Sequence, residues 1–111
     1  MTAPAEFLLV ESQGAWSGPM AERFLDDGTA LARAGQRVSV LLVQDGVTAA
    51  LPGAAAAVDR LTAAGATVWV DDFSLAQRAL PADRVVPGAA VVDMDAVAAK
   101  LLGDRVRVVW H

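Results

Sequence analysis

The sequence predicts an α/β domain: a three-layer α/β/α sandwich around a mainly parallel sheet of four or five strands. Three observations carry this. Short apolar runs alternate with amphipathic helical segments along the whole chain, the order expected of repeated strand–helix units. The runs "FLLV", "VSVLLV" and "TVWV" are apolar through their centres rather than alternating with polar residues, which suits strands buried on both faces. The 111 residues suffice for one core, and no linker, repeat or low-complexity tail divides them. Residues 1–111 are therefore expected to form a single domain.

Glu6 to Glu11 reads as the first strand. The loop "SQGAWSGP" follows, and Gly18-Pro19 opens a helix, since proline suits the first turn, where its missing N–H costs nothing. That helix runs to about Ala34. Met20, Phe24, Leu25, Gly28, Leu31 and Ala32 share one face of it, Glu22, Asp26 and Arg33 point away, and Gly35 stops it. "QRVSVLLVQ" is the second strand, and Asp45-Gly46 is a turn signal that leads through a weak turn at Val47 to Leu51. An alanine-rich helix over about 54–64 ends at Gly65. "ATVWV" is the third strand, and "FSLAQRAL" a short helix ended by Pro81. Arg84 to Val86 is the candidate for a brief fourth strand before a turn at Pro87-Gly88. Asp93 caps a last helix that ends before Gly103, and "DRVRVVWH" is the final strand, with Val106, Val108 and Trp110 on one side and Arg105, Arg107 and His111 on the other.

Composition excludes several functions. Net charge is −4, and the nine basic residues are scattered, which argues against nucleic acid or an anionic membrane as a partner. No apolar run approaches the roughly 20 residues that span a bilayer. The N-terminus has no basic region ahead of its short apolar run, so it reads as a strand rather than a signal peptide, and the cytoplasm is the expected location. There is no cysteine, which removes disulfides, thiolate metal sites and cysteine nucleophiles. The one histidine, His111, leaves no multi-histidine metal site. Neither a metal nor another cofactor is expected. The apolar fraction is high, 55% with a mean hydropathy of +0.42, so part of the apolar surface is expected in a subunit interface.

In open α/β sheets ligands bind beyond the carboxyl ends of the strands. Three segments answer that description: "SQGAWSG", "QDGV" and "DDFS". Neither of the glycine-rich phosphate motifs is present, so Gly14 and Gly18 read as turn and helix-start residues. The candidate ligand-binding residues are Ser12, Gln13, Trp16, Asp45, Asp71, Asp72, Ser74 and Arg78. Trp16 can stack on a ligand, plug a subunit interface or cap the core. Asp71 and Asp72 could do acid–base work, but adjacent side chains at a strand end point to opposite faces and do not readily share a proton. The structural alternative is that they end the strand while Asp72 or Ser74 caps the next helix. Asp45 reads as a turn residue, and Arg78 is expected to pair with one of these aspartates.

"SGPMAERFLDDGTALARAGQRVSVLLVQDGV", followed by "AAGATVWVDDFSLAQRAL", resembles the DsrE/DsrF-like family of small sulfur-relay proteins, which includes the TusBCD subunits. The shared features are a helix ending in Ala-x-x-Gly, a strand ending in Asp45-Gly46-Val47, a Gly-(Val/Ala)-x-Val strand, and an arginine-bearing helix after it. The resemblance implies a three-layer α/β/α fold and assembly as a trimer, a hexamer or a mixed-subunit complex. It also implies a persulfide-carrying cysteine just after the third strand. That window here reads "VDDFSLAQR". A carboxylate or a serine hydroxyl lacks the soft, low-pKa nucleophile that carries sulfane sulfur, so this chain cannot relay a persulfide by itself. The resemblance therefore implies a non-catalytic subunit whose partner is itself or a cysteine-bearing DsrE-like paralogue. The alternative is an enzyme or small-molecule binder that reuses the cleft. Asp71 or Asp72 would then be base or polar anchor, Ser12, Ser74 and Arg78 would orient the substrate, and Trp16 would stack on it.

Overall fold

Five strands form the sheet: β1 (Glu6–Glu11), β2 (Val38–Leu42), β3 (Thr67–Asp71), β4 (Ala89–Val92) and β5 (Val106–Trp110). Their order is β4-β3-β2-β1-β5, and every neighbouring pair is parallel. The computed structural model describes residues 6–103 and 105–111. The residues ahead of Glu6 and the Asp104 start expected for the last strand lie outside that set.

This order explains where the helices lie. The chain steps from β1 to β2, β3 and β4 in one direction, then crosses back over the sheet to β5. With right-handed crossovers, the first three connections share one face and the last takes the other. Accordingly α1 (Met20–Arg33), α2 (Ala56–Ala63) and α3 (Asp72–Gln77) contribute Leu25, Val58, Leu61 and Leu75 to one core with Leu9, Val38, Val40, Leu42, Val68 and Val70 of the sheet. On the opposite face α4 (Met94–Leu101) places Val97 against Leu8, Val10 and Leu41.

Helix α1 starts and ends where its sequence directs: Pro19 is the N-cap, and Gly35 takes the left-handed conformation at φ +91°. Leu25 and Gly28 of the expected face are buried, with Ala21 and Thr29 beside them, and Phe24, Leu31 and Ala32 pack against the core; only Met20 departs, at 53% exposed. Glu22 and Asp26 do not simply face water. Both reach Arg60 of α2, at 2.8 and 2.9 Å, and tie the two helices together, and Asp26 followed by Glu22 holds the guanidinium above its ordinary pKa.

The expected fourth strand is displaced. Ala82–Arg84 is a short 3-10 turn, and Val86 donates its N–H to Ala50 O (2.9 Å) instead of to a strand. The strand proper is Ala89–Val92. Ala90 lies opposite Trp69 in register, and Ala89 packs against the core from beside Val68. The weak turn after β2 is likewise a longer 3-10 segment, Gln44–Ala50.

Candidate functional site

The carboxyl edge of the parallel strands gathers three structures, built on the loops after β1, β2 and β3. The first closes the end of β3. Asp71 is buried and is the N-cap of α3: its Oδ2 accepts hydrogen bonds from the backbone N–H of Ser74 (3.0 Å) and from Ser74 Oγ (2.6 Å). Ser74 Oγ in turn accepts the N–H of Gln44 (2.8 Å), a residue held at φ +51°. Arg78 donates to Asp45 Oδ1 (3.0 Å) and, within α3, back to Ser74 O (3.2 Å), so the Gln44–Ser74 and Arg78–Asp45 bonds tie α3 to the loop after β2 twice. The helix cap expected at Asp72 or Ser74 thus falls on Asp71, with Ser74 as its partner. Asp72 faces solvent beside Phe73, which is 61% exposed. Among the described residues Asp71 Oδ1 is buried without a hydrogen-bond partner. No cluster of three or more His, Asp or Glu side chains among them is placed to hold a metal ion.

The Asp45-Gly46-Val47 motif has a steric basis. Val43 donates its N–H to Glu11 O (3.0 Å), which draws the turn onto the end of β1. A Cβ at Gly46 would lie 2.1 Å from that carbonyl oxygen, so only glycine fits. Val47 is fully buried in the core, which anchors the turn.

The second structure is a cavity of about 560 Å³ between the first turn of α1, the 3-10 segment and the start of α2. Trp16 stands at its rim, 66% exposed, with its ring laid on Gly14, where a Cβ would meet the ring at 2.7 Å. Trp16 therefore does not cap the core. Gln13 also lines the cavity, whereas Ser12 is tied to β5, with its N–H and Oγ both donating to His111 O (2.9 and 2.8 Å). The candidate residues thus divide: Asp45, Asp71, Ser74 and Arg78 form one network, Gln13 and Trp16 border the cavity, Ser12 fastens a strand, and Asp72 faces outward.

The third structure has no counterpart among the candidates. Glu11 is fully buried, and its carboxylate oxygens lie 2.7 and 2.9 Å from His111 Nδ1. Glu11 Oε2 also accepts the N–H of Gln13 (2.9 Å), and the imidazole stacks on Phe24 at 5.2 Å between centroids. The pair bridges β1 and β5, the point where the strand order reverses. A glutamate ending an otherwise buried strand was the only sequence signal for it.

No family model and no curated protein matches the sequence. The fold, however, is similar to that of solved structures. The ychN protein from E. coli superposes with a TM-score of 0.80 over 94% of this chain and 98% of its own, at 18% identity. A protein of unknown function from Methanobacterium thermoautotrophicum, MTH1491, gives a TM-score of 0.75 over 96% of this chain and 97% of its own, at 13% identity. Both have the DsrE/DsrF-like fold. That fold, with a single all-parallel sheet and no cysteine in the sequence, is the fold of this chain.

Proposed function

We propose that this chain is a non-catalytic DsrE-like subunit of the cytoplasm that assembles with copies of itself, as a trimer or hexamer, or with a cysteine-bearing DsrE-like paralogue. The observation that carries this reading is the closed end of β3. The window in which the resemblance implies a sulfur-carrying thiolate is occupied by Asp71, Asp72, Phe73 and Ser74, of which Asp71 and Ser74 are buried and bonded to each other while Ser74 also accepts the N–H of Gln44. None of the four side chains can hold a persulfide, and the two buried ones are committed to each other.

Assembly is supported by the surface. Strand β5 is a sheet edge with Val108 37% and Trp110 66% exposed on the face that α4 covers, and Val109 37% exposed on the other. An edge strand that leaves Val108 and Trp110 exposed on one face, with Val109 beside the exposed Arg107 on the other, is a surface for another chain. Trp110 is the natural anchor there, since buried tryptophans dominate interface energetics.

Light scattering at micromolar concentration tests this directly. We expect a trimer or larger assembly for the native chain and a smaller species for Trp110→Asp, whose far-ultraviolet spectrum stays native. Native mass spectrometry on protein captured from its host's lysate distinguishes self-assembly from a mixed complex. A monomer at ~10 μM that captures no cysteine-bearing homologue sinks the reading.

A further inference from the structure

We propose that the cavity beside Trp16 is a binding site for a neutral, ring-bearing, largely apolar small molecule, separate from the Asp71 network and independent of assembly. Its volume, about 560 Å³, falls in the range of small-molecule sites. The lining explains why the space is open. At Ala49, Ala54 and Ala57 small side chains stand where Leu or Val would fill it, and Gly14 gives up its side chain to the indole of Trp16.

Charge decides the class of ligand. No lysine, arginine or histidine lines the cavity, so a phosphate or carboxylate would be desolvated there without a cation to receive it. The one ionised lining residue, Glu22, is already paired with Arg60 at 2.8 Å, so a cation finds no free counter-charge either. A neutral molecule remains. Two polar groups at the rim are uncommitted among the described residues: the Gln13 side-chain amide and the Trp16 indole N–H. Thr48 has spent its proton on Asp45 O (2.7 Å) but keeps oxygen lone pairs. One hydrogen-bonding group on the ligand is therefore accommodated. The edge of the Trp16 ring rests on Gly14 while two-thirds of the residue stays exposed, an open π-surface beside the cavity.

The test uses the full chain and N-phenyl-1-naphthylamine, a neutral two-ring fluorophore, read by its emission on titration. We expect saturable binding of one probe per chain. Trp16→Ala should weaken it about tenfold through the lost ring contact. Ala54→Phe, at an exposed position on the rim, should close the cavity and weaken binding at least as much, with circular dichroism and melting temperature unchanged. Binding that ignores both variants, or no saturable binding, overturns the proposal. Equal affinity for the sulfonated probe 1-anilinonaphthalene-8-sulfonate overturns the neutral class. Probe binding that rises only as the protein is diluted into smaller species also overturns it, because the cavity would then receive a side chain of a neighbouring copy. Trp110→Asp, the assembly variant, should bind the probe as the native chain does, so the two readings fail separately.

Discussion

The two faces of the sheet are built to different standards. Beneath α1 and α2 the sheet presents Leu9, Val40, Leu42, Val68 and Val70, all almost fully buried, and the helices answer with Leu25, Val58 and Leu61. Beneath α4 the buried apolar residues are Leu8, Val10, Leu41 and Val97, and charge completes the layer: Glu6 receives hydrogen bonds from Ser39 and from Lys100 (2.9 Å), and the Lys100 ammonium sits 5.3 Å from the Trp69 ring centroid. The difference follows from topology. Three crossovers feed one face and a single eight-residue helix feeds the other. More of the buried apolar side chains lie on the first face. The second leaves apolar surface exposed at β5.

This asymmetry sets the order of expected effects. Leu61→Ala, on the full face, should cost about 2–5 kcal/mol, because close packing around a fully buried leucine leaves a cavity. Val97→Ala, at the centre of the thin face, should cost about 1–2 kcal/mol, since fewer carbons are lost and α4 can settle into the gap. Urea unfolding of the two variants, with m-values compared, checks both. Equal losses would mean that the faces are energetically alike.

The carboxyl edge offers a sharper contrast between adjacent aspartates. Asp71→Ala should cost about 1–3 kcal/mol, because it strips the α3 cap and leaves the buried Ser74 hydroxyl without its acceptor. Asp72→Ala should change stability by no more than about 0.5 kcal/mol, as expected of an exposed residue with no bonded partner among the described residues. Thermal melts of the pair decide the matter. A larger loss from Asp72 would contradict the cap geometry.

What could be read from the sequence was whatever local chemistry determines. Pro19, Gly35 and Asp93 mark helix ends by backbone and capping rules that act within a few residues, and each does so in the structure. The apolar strand centres required a sheet covered on both sides. Val85 and Val86 misled because β-branched residues also serve as core-packed linkers. There the hydrogen bond to Ala50 holds the chain off the sheet, and the strand forms instead at Ala89–Val92, with Ala90 in register with Trp69. The Glu11–His111 pair was illegible for a different reason. Its members are 100 positions apart and meet only because β5 returns to the side of β1, a fact of strand order that no local pattern carries. The cavity was hidden likewise: alanines read as helix formers until their shared space is seen.

A small, pH-dependent effect tests the polar half of the comparison. Burial alone would raise the Glu6 carboxyl, but the hydrogen bonds from Ser39 and Lys100, with the nearby charges of Lys100 and Arg37, outweigh it and bring the pKa below its ordinary 4.5. In the unfolded chain those partners are gone and the pKa returns to that value. Between the two values the unfolded state binds more protons, so stability rises with pH across that window. The contribution is complete above the unfolded value and disappears as the pH falls through the folded one. Glu6→Gln should therefore lower stability at pH 7 by about 1 kcal/mol or less, the scale of a partly exposed ion pair. The difference between variant and native chain should shrink to nothing as the pH is taken below the folded-state value. Urea midpoints across the acid range measure it. A constant gap at every pH would mean that glutamine disturbs packing under α4 and that charge contributes nothing to that face.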